Sequence, residues 1–304
     1  MLTFFATAKP FRDQSAILQR NALQSWKLLH PHVEVILFGD DPGAAEIARE
    51  LGLRHEPFVE RNEFGTKRLD FMFARAQEIA RHDLLCYLNC DIILLPEFCG
   101  ALQRVQAVHD RFLMVGRRWD MDIPEPIDFH GPRAADRLRE LALQEGVRRG
   151  PDAVDYFAFP RGLYSEIPPL VVGRIWWDHY LVWKARDLGA DVVDVSSQVT
   201  AIHQNHDYGY HPGGAQGVWT DPQARRNYEL AGGKWHLYTI ADSTHILESS
   251  GERCNWGRFL APCWRVLRPK LIPVWFGFLH ATRPMRKLFG LRRKYRQSAG
   301  HQSS

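Results

Sequence analysis

Three short apolar runs, interleaved with amphipathic helical segments, constrain this chain more than any other feature. Residues 2–6, 33–38 and 84–88 are dense in Leu, Ile, Val, Phe and Tyr. Runs of this length suit strands buried on both faces and are too short for helices. Between them, Ile17, Leu18, Leu23, Leu28 and Leu29 recur at helical spacing in residues 13–29, and Leu69, Met72, Phe73, Ala76 and Ile79 do so from residue 66 onward. A third helix is expected up to Leu51, stopped by Gly52. Asp13, Asp41 ahead of Pro42, and Thr66 are the expected N-caps. Strand and helix in alternation predict an α/β fold: a mixed, mostly parallel sheet flanked by helices. In such sheets ligands gather beyond the carboxyl ends of the strands.

The rhythm loosens after Val115. Residues 116–152 read as an insertion, with prolines at 124, 126 and 132 and one charged helix over 134–145. Strands are expected again over 153–159, 191–195 and 199–202, with a helix over 176–188. Residues 201–217, rich in His, Gly and aromatics, read as a functional loop. One domain over residues 1–250 and an extension over 251–304 are the expected organisation.

Charge sets the extension apart. From Arg265 to the end there are ten Lys or Arg and no Asp or Glu, so a whole-chain net charge of +4 leaves the remainder acidic, at about −6. The apolar stretch over 271–279 beside this basic run suits an anionic membrane surface. A cytoplasmic protein, peripheral at the inner face of the membrane, is the expected location. No nucleic-acid-binding module is recognisable, so no nucleic-acid partner is expected. No run approaches the roughly 20 apolar residues that span a bilayer, and Met1-Leu2-Thr3-Phe4-Phe5 lacks the basic start of a signal peptide. With hydrophobic residues at 45% and charged ones at 24%, a packed core is expected and global disorder is excluded. The five cysteines contain no Cys-x-x-Cys pair, which predicts reduced, buried thiols rather than a zinc site.

The chemistry concentrates where the third apolar run ends, in Asn89-Cys90-Asp91. Residues two apart on an extended chain point the same way, so Asn89 and Asp91 can offer oxygen ligands together. Hard cations such as Mg²⁺ or Mn²⁺ take such ligands and share them with substrate phosphates. This segment resembles the Asp-x-Asp motif of GT-A glycosyltransferases. Asp155-Tyr156-Phe157-Ala158-Phe159, Trp176-Trp177-Asp178-His179 and the stretch from Ala201 to Tyr208 resemble a bacterial group within that family. The resemblance covers about residues 2–244. It implies a GT-A-like fold, a nucleotide-sugar donor of the UDP or GDP type, and an acceptor that is a glycan or lipid-linked. It departs from the family in placing Asn89 where the first Asp is usual, so metal binding leans on Asp91.

The resemblance also implies residue roles. His203, or alternatively His206, completes the metal site with Asp91 and Asn89. Asp178 is the base of an inverting transfer. Thr7, Lys9 and Asp40 contact the donor base and ribose, and Lys67 and Arg68 its diphosphate. Asp155 and Trp177 face sugar hydroxyls and rings. Three other readings compete. A sugar nucleotidyltransferase would carry a glycine-rich basic loop after the first strand, and Ala6 to Arg12 has no glycine. A non-catalytic carbohydrate-binding or membrane-associated module is supported by Asn89, and a metal-dependent hydrolase by the histidines.

Overall fold

The computed structural model describes residues 1–206, 217 and 220–263. The basic run and the apolar stretch before it, together with Asp207 and Tyr208, lie outside the described residues. Chain segments cluster into two units, Met1–Trp256 and Gly257–Ser304, and the first carries everything that follows.

The first half runs β1 (Leu2–Thr7), α1 (Asp13–Leu28), β2 (Glu34–Phe38), α2 (Ala44–Glu50), β3 (Arg54–Glu56), α3 (Leu69–Ile79), β4 (Leu84–Leu88), β5 (Ile92–Leu94), α4 (Glu97–Gln106) and β6 (Phe112–Val115). The second half runs β7 (Arg118–Met121), α5 (Ala134–Glu145), β8 (Val147–Arg148), β9 (Tyr156–Pro160), α6 (Trp177–Asp187), β10 (Asp191–Asp194), β11 (Ala201–Gln204), α7 (Pro222–Leu230), β12 (His245–Glu248) and β13 (Gly251–Cys254). Nine strands form one sheet, in the order β13-β12-β10-β6-β9-β4-β1-β2-β3. Only β9 and β13 run against the rest, so the sheet is mixed and mostly parallel, as expected. Because β13 pairs with β12, the sheet continues past residue 250.

Side-chain alternation explains the two helical layers. On β1, Leu2, Phe4 and Ala6 face one way and pack with Leu23 and Trp26 of α1, Ile47 of α2 and Phe98 of α4. Phe5 faces the other way, among Phe38, Tyr87, Met72 and Phe73 of α3, and Leu181 of α6. A strand with a helix against each face has no polar side to spare, which is why these strands read as unbroken apolar runs. Burying each such side chain is worth about 1.5–3 kcal/mol.

The expected caps differ from those found. α1 begins at Asp13 itself, with Arg12 as the flanking residue. α2 is entered through Gly43, in the left-handed region at φ 87°, which frees Asp41 for another task. α3 starts after Arg68 rather than Thr66. No helix among the described residues is long and apolar enough to cross a membrane. Cys86 and Cys90 are buried free thiols as expected, whereas Cys254, at the end of the edge strand β13, and Cys263 are exposed.

The largest difference is a second sheet, in the order β5-β11-β7-β8. The segment read as an insertion supplies β7 and β8, and α5 covers this sheet through Ala142 and Leu138 against Ile93, Met121 and Ile202. Asn89-Cys90-Asp91 is the link by which the chain passes from the large sheet at β4 to the small sheet at β5.

Candidate metal and transfer site

That link places Asp91 where the two sheets meet. Strand register then brings its partners. β11 pairs antiparallel with β5, setting His203 opposite Ile92, and parallel with β7, setting His203 opposite Asp120. The fully buried Gln204 holds the link, since its backbone N–H and its side-chain amide both donate to the Asp91 carbonyl, at 3.1 and 3.2 Å. The same amide reaches the Leu18 carbonyl at 2.8 Å.

One ligand atom from each of Asp91, His203 and His206 lies within 4.8 Å of the others. His206 Nε2 is 3.1 Å from Asp91 Oδ2, and His203 Nε2 is 3.9 Å from the same oxygen. Asp91 Oδ1 is buried with no hydrogen-bond partner. A buried carboxylate oxygen without a partner is costly, and a cation is the ligand that fits it among two imidazoles. Both histidines named at the outset therefore reach Asp91, and both could hold a metal with it. Burial pushes the Asp91 carboxyl up, but His203, the His206 hydrogen bond and Lys9 outweigh it and hold it well below the usual carboxylate range.

Behind the cluster lies a charged wall. His203 Nδ1 is 3.3 Å from Asp120 Oδ1, at ion-pair distance but without hydrogen-bond alignment. Arg118 Nε donates to Asp120 at 2.8 Å, and its Nη1 to Asp155 at 2.6 Å. Asn89 Nδ2 donates to the other Asp155 oxygen at 2.9 Å. Asn89 is thus turned towards Asp155 by this bond, and its backbone N–H also donates to the Asp155 carbonyl at 3.2 Å. Burial alone would lower Arg118, but Asp155 and Asp120 raise it above its ordinary value.

Asp178 is the second residue of α6, and its Oδ1 is buried without a partner. Burial pushes this carboxyl up, aided by the charge of Asp155 and opposed by His179. The residue that admits the chain into α6, Trp176, has φ 89°. For a bulky side chain this left-handed conformation costs about 1–3 kcal/mol and is the kind of strain that collects at functional sites. Trp177 is 5% exposed, with Tyr87 and Phe157 rings 5.3 and 5.6 Å away. It is a core residue, because the helix turns it into the layer between α6 and the sheet, so its ring is not free to stack on a sugar.

The residues expected to meet the donor lie at the ends of β1 and β2. Lys67 is buried, and its ammonium is shared among the Thr7 hydroxyl at 2.8 Å, the Ala8 carbonyl at 2.8 Å and the Asp41 carboxylate. Gly39, at φ 106°, leaves room for this pair: a methyl there would stand 2.8 Å from Asp41 Oδ2 and 3.0 Å from Lys67 Nζ. Lys67 thus braces the two strand ends with all three of its donors. The Lys9 backbone is clasped by Gln19 at 2.6 and 3.0 Å, and its charge acts on Asp91. Asp40 is exposed and pairs with Arg61 at 2.6 Å. Arg68 lies between Glu60 and Asp70.

Arg118 and Asp120 are polar residues that sequence reading passed over, and Asp41, read as a helix cap, pairs with Lys67 instead. The signal for the first two was Arg-x-Asp, two residues apart and so on one face of a strand. It was hidden because the alternation in Arg118–Met121 spans only four residues, inside a segment rich in proline and charge.

No family model matches the chain, and no curated protein matches it. Among solved structures, glucosyl-3-phosphoglycerate synthase from Mycobacterium tuberculosis, in complex with Mn²⁺, UDP and glucosyl-3-phosphoglycerate, is similar at a TM-score of 0.47 and 15% identity, over 77% of this chain and 81% of that one. The same enzyme with Mg²⁺ and UDP gives 0.47 and 14%, over 77% and 80%. S. aureus TarS in complex with UDP-GlcNAc gives 0.29 and 11%, over 41% and 37%. Likeness of this size says nothing of this chain's chemistry, which rests on its own residues.

Proposed function

We propose that the chain is a GT-A-like glycosyltransferase. It would move a sugar from a UDP- or GDP-type donor to a hydroxyl of a glycan or lipid-linked acceptor, assisted by Mn²⁺ or Mg²⁺. The observation that carries this reading is the Asp91–His203–His206 cluster at the carboxyl end of a central strand, with a buried Asp91 oxygen left unpartnered. Two imidazoles and one carboxylate suit Mn²⁺ better than Mg²⁺, which prefers oxygen ligands alone. When bound, such a cation neutralises charge on a leaving nucleoside diphosphate.

The chain's own residues supply the rest. Lys9 adds a fixed positive charge beside Asp91. Asp178 offers a desolvated, unpartnered carboxylate oxygen, suited to take the proton from an acceptor hydroxyl as that hydroxyl attacks the anomeric carbon. Attack from the face opposite the diphosphate inverts the anomeric configuration. Asn89, Arg118 and Asp155 hold one wall of the site in a single geometry. The absence of glycine in residues 6–12 weighs against nucleotidyl transfer.

Calorimetric titration of UDP, GDP and CDP, each with Mn²⁺, with Mg²⁺ and with chelator, tests the donor half. One nucleotide should bind only with metal, and the binding should vanish in Asp91→Ala. Binding of no nucleotide by the folded protein would overturn the reading. Sugar release to water with every acceptor offered would turn it towards a hydrolase.

A further inference from the structure

A second histidine–carboxylate cluster lies at the other end of the large sheet. His109, in the turn between α4 and β6, is buried between two acids. Its Nδ1 is 2.9 Å from Asp191 Oδ2, and its Nε2 is 2.6 Å from Glu252 Oε1. His245 opens β12, its ring centroid 5.0 Å from that of His109. Its Nδ1 is 2.9 Å from Thr244 Oγ1, 3.4 Å from Asp191 Oδ1 and 3.9 Å from Glu252 Oε1. One ligand atom from each of His109, His245 and Glu252 lies within 4.8 Å of the others. Glu252 Oε2 is buried with no hydrogen-bond partner.

We propose that His109, His245 and Glu252 form a second metal site, for Zn²⁺ or a similar borderline transition ion, that clasps the β12–β13 hairpin to the body of the sheet. Three observations converge on it. The donors are two imidazoles and a carboxylate, a set that zinc takes at about 2.0–2.2 Å and that Mg²⁺ and Ca²⁺ do not favour. Asp191 occupies Nδ1 of His109. A carboxylate on the outer nitrogen of a ligating histidine fixes its tautomer and leaves Nε2 to the metal. The bare Glu252 Oε2 supplies the third observation, since an ion between the histidines would satisfy it.

Placement explains what the ion would do. β12 meets β10 through only two residue pairs, Val193 with His245 and Asp194 with Ile246. β13 is the edge strand beyond it. His109 precedes β6 and Asp191 opens β10, so an ion here joins three successive strands and the hairpin edge. On binding, the proton shared between His109 Nε2 and Glu252 leaves to solvent and the metal takes its place.

The test uses the full chain carrying Asp91→Asn and His206→Asn, which removes the first cluster. Titration with Co²⁺, followed by its visible absorption, and with Zn²⁺, followed by equilibrium dialysis, should show one bound equivalent. Affinity should fall by more than about a hundredfold in His245→Asn, and likewise in the shape-conserving Glu252→Gln. Zn²⁺ should also slow hydrogen exchange over residues 245–254, and Glu252→Gln should abolish that slowing. Absence of a bound equivalent, or binding undiminished by both substitutions, overturns the proposal and leaves His109 as a hydrogen-bonded link between two acids. Because the background lacks Asp91, neither result bears on the proposed sugar transfer.

Discussion

The same side-chain types meet at both ends of the sheet, and the two meetings differ in what surrounds them. At the amino ends of β6, β10 and β12, His109 has an acid at each nitrogen, Thr244 holds His245, and the residues tie strands together. At the carboxyl end of β4, Asp91 keeps an unpartnered oxygen, and Asp178, whose carboxyl feels the charge of Asp155, keeps another. Each cluster keeps a buried carboxylate oxygen without a partner, Asp91 Oδ1 in one and Glu252 Oε2 in the other, so neither composition nor unmet valence separates a site that takes substrate from a clasp. The neighbours do: a second unpartnered carboxylate at Asp178 in the first, and the starts of three strands in the second.

The widest break in this comparison should come from Asp91→Asn. It removes the carboxylate that both histidines approach, and metal-dependent turnover should fall by more than about a thousandfold, on the scale of a lost metal contribution of several kcal/mol. Steady-state kinetics with Mn²⁺ checks it.

Asp178→Asn should cost somewhat less, about a hundredfold to a thousandfold in kcat with nucleotide affinity retained, as for loss of a general base. It has a second signature. Burial raises the folded-state value of this carboxyl, so the folded protein binds that proton more tightly than the unfolded chain. Stability from this group is present in acid and is lost as pH rises through the raised value. At neutral pH Asp178→Asn should therefore melt higher than the parent, and the gap should close as pH falls below the ordinary carboxylate range. A variant less active and less stable at neutral pH would count against the assignment.

Arg118→Met should lower metal affinity by about ten- to a hundredfold, because Arg118 holds Asp120 beside His203 and so acts on the metal ligand from behind. Competition with a fluorescent chelator reads this directly. The smallest effect should come from Arg61→Ala. This residue pairs with Asp40 at the exposed rim, and donor affinity should change less than about threefold, as surface pairs contribute little.

Much of the first half was legible in advance. β1, β2 and β4 are apolar runs because helices cover both of their faces, and α1 and α3 show their buried stripes plainly. The caps were not legible. Asp41 has the chemistry of an N-cap, yet it pairs with Lys67, a residue 26 positions away, and Gly43 opens the helix instead. Trp177 looked like a sugar platform because tryptophan often is one, and its helix turns it into the core.

What the sequence by itself determined is the alternation of strand and helix, the layering about the large sheet, and the presence of Asp91 at the end of a buried strand. Local physics decides these, since apolar period and run length are properties of short segments. Only the tertiary structure decided that residues 116–152 build a second sheet, that β11 lies between β5 and β7, and that Asp91, His203, His206 and Asp120 consequently meet. Register between strands 83 or more residues apart is a non-local choice, made by the packing of Ile93, Met121 and Ile202 under α5. A strand as short as Arg118–Met121 alternates over only four residues, too few to specify which strands it pairs with.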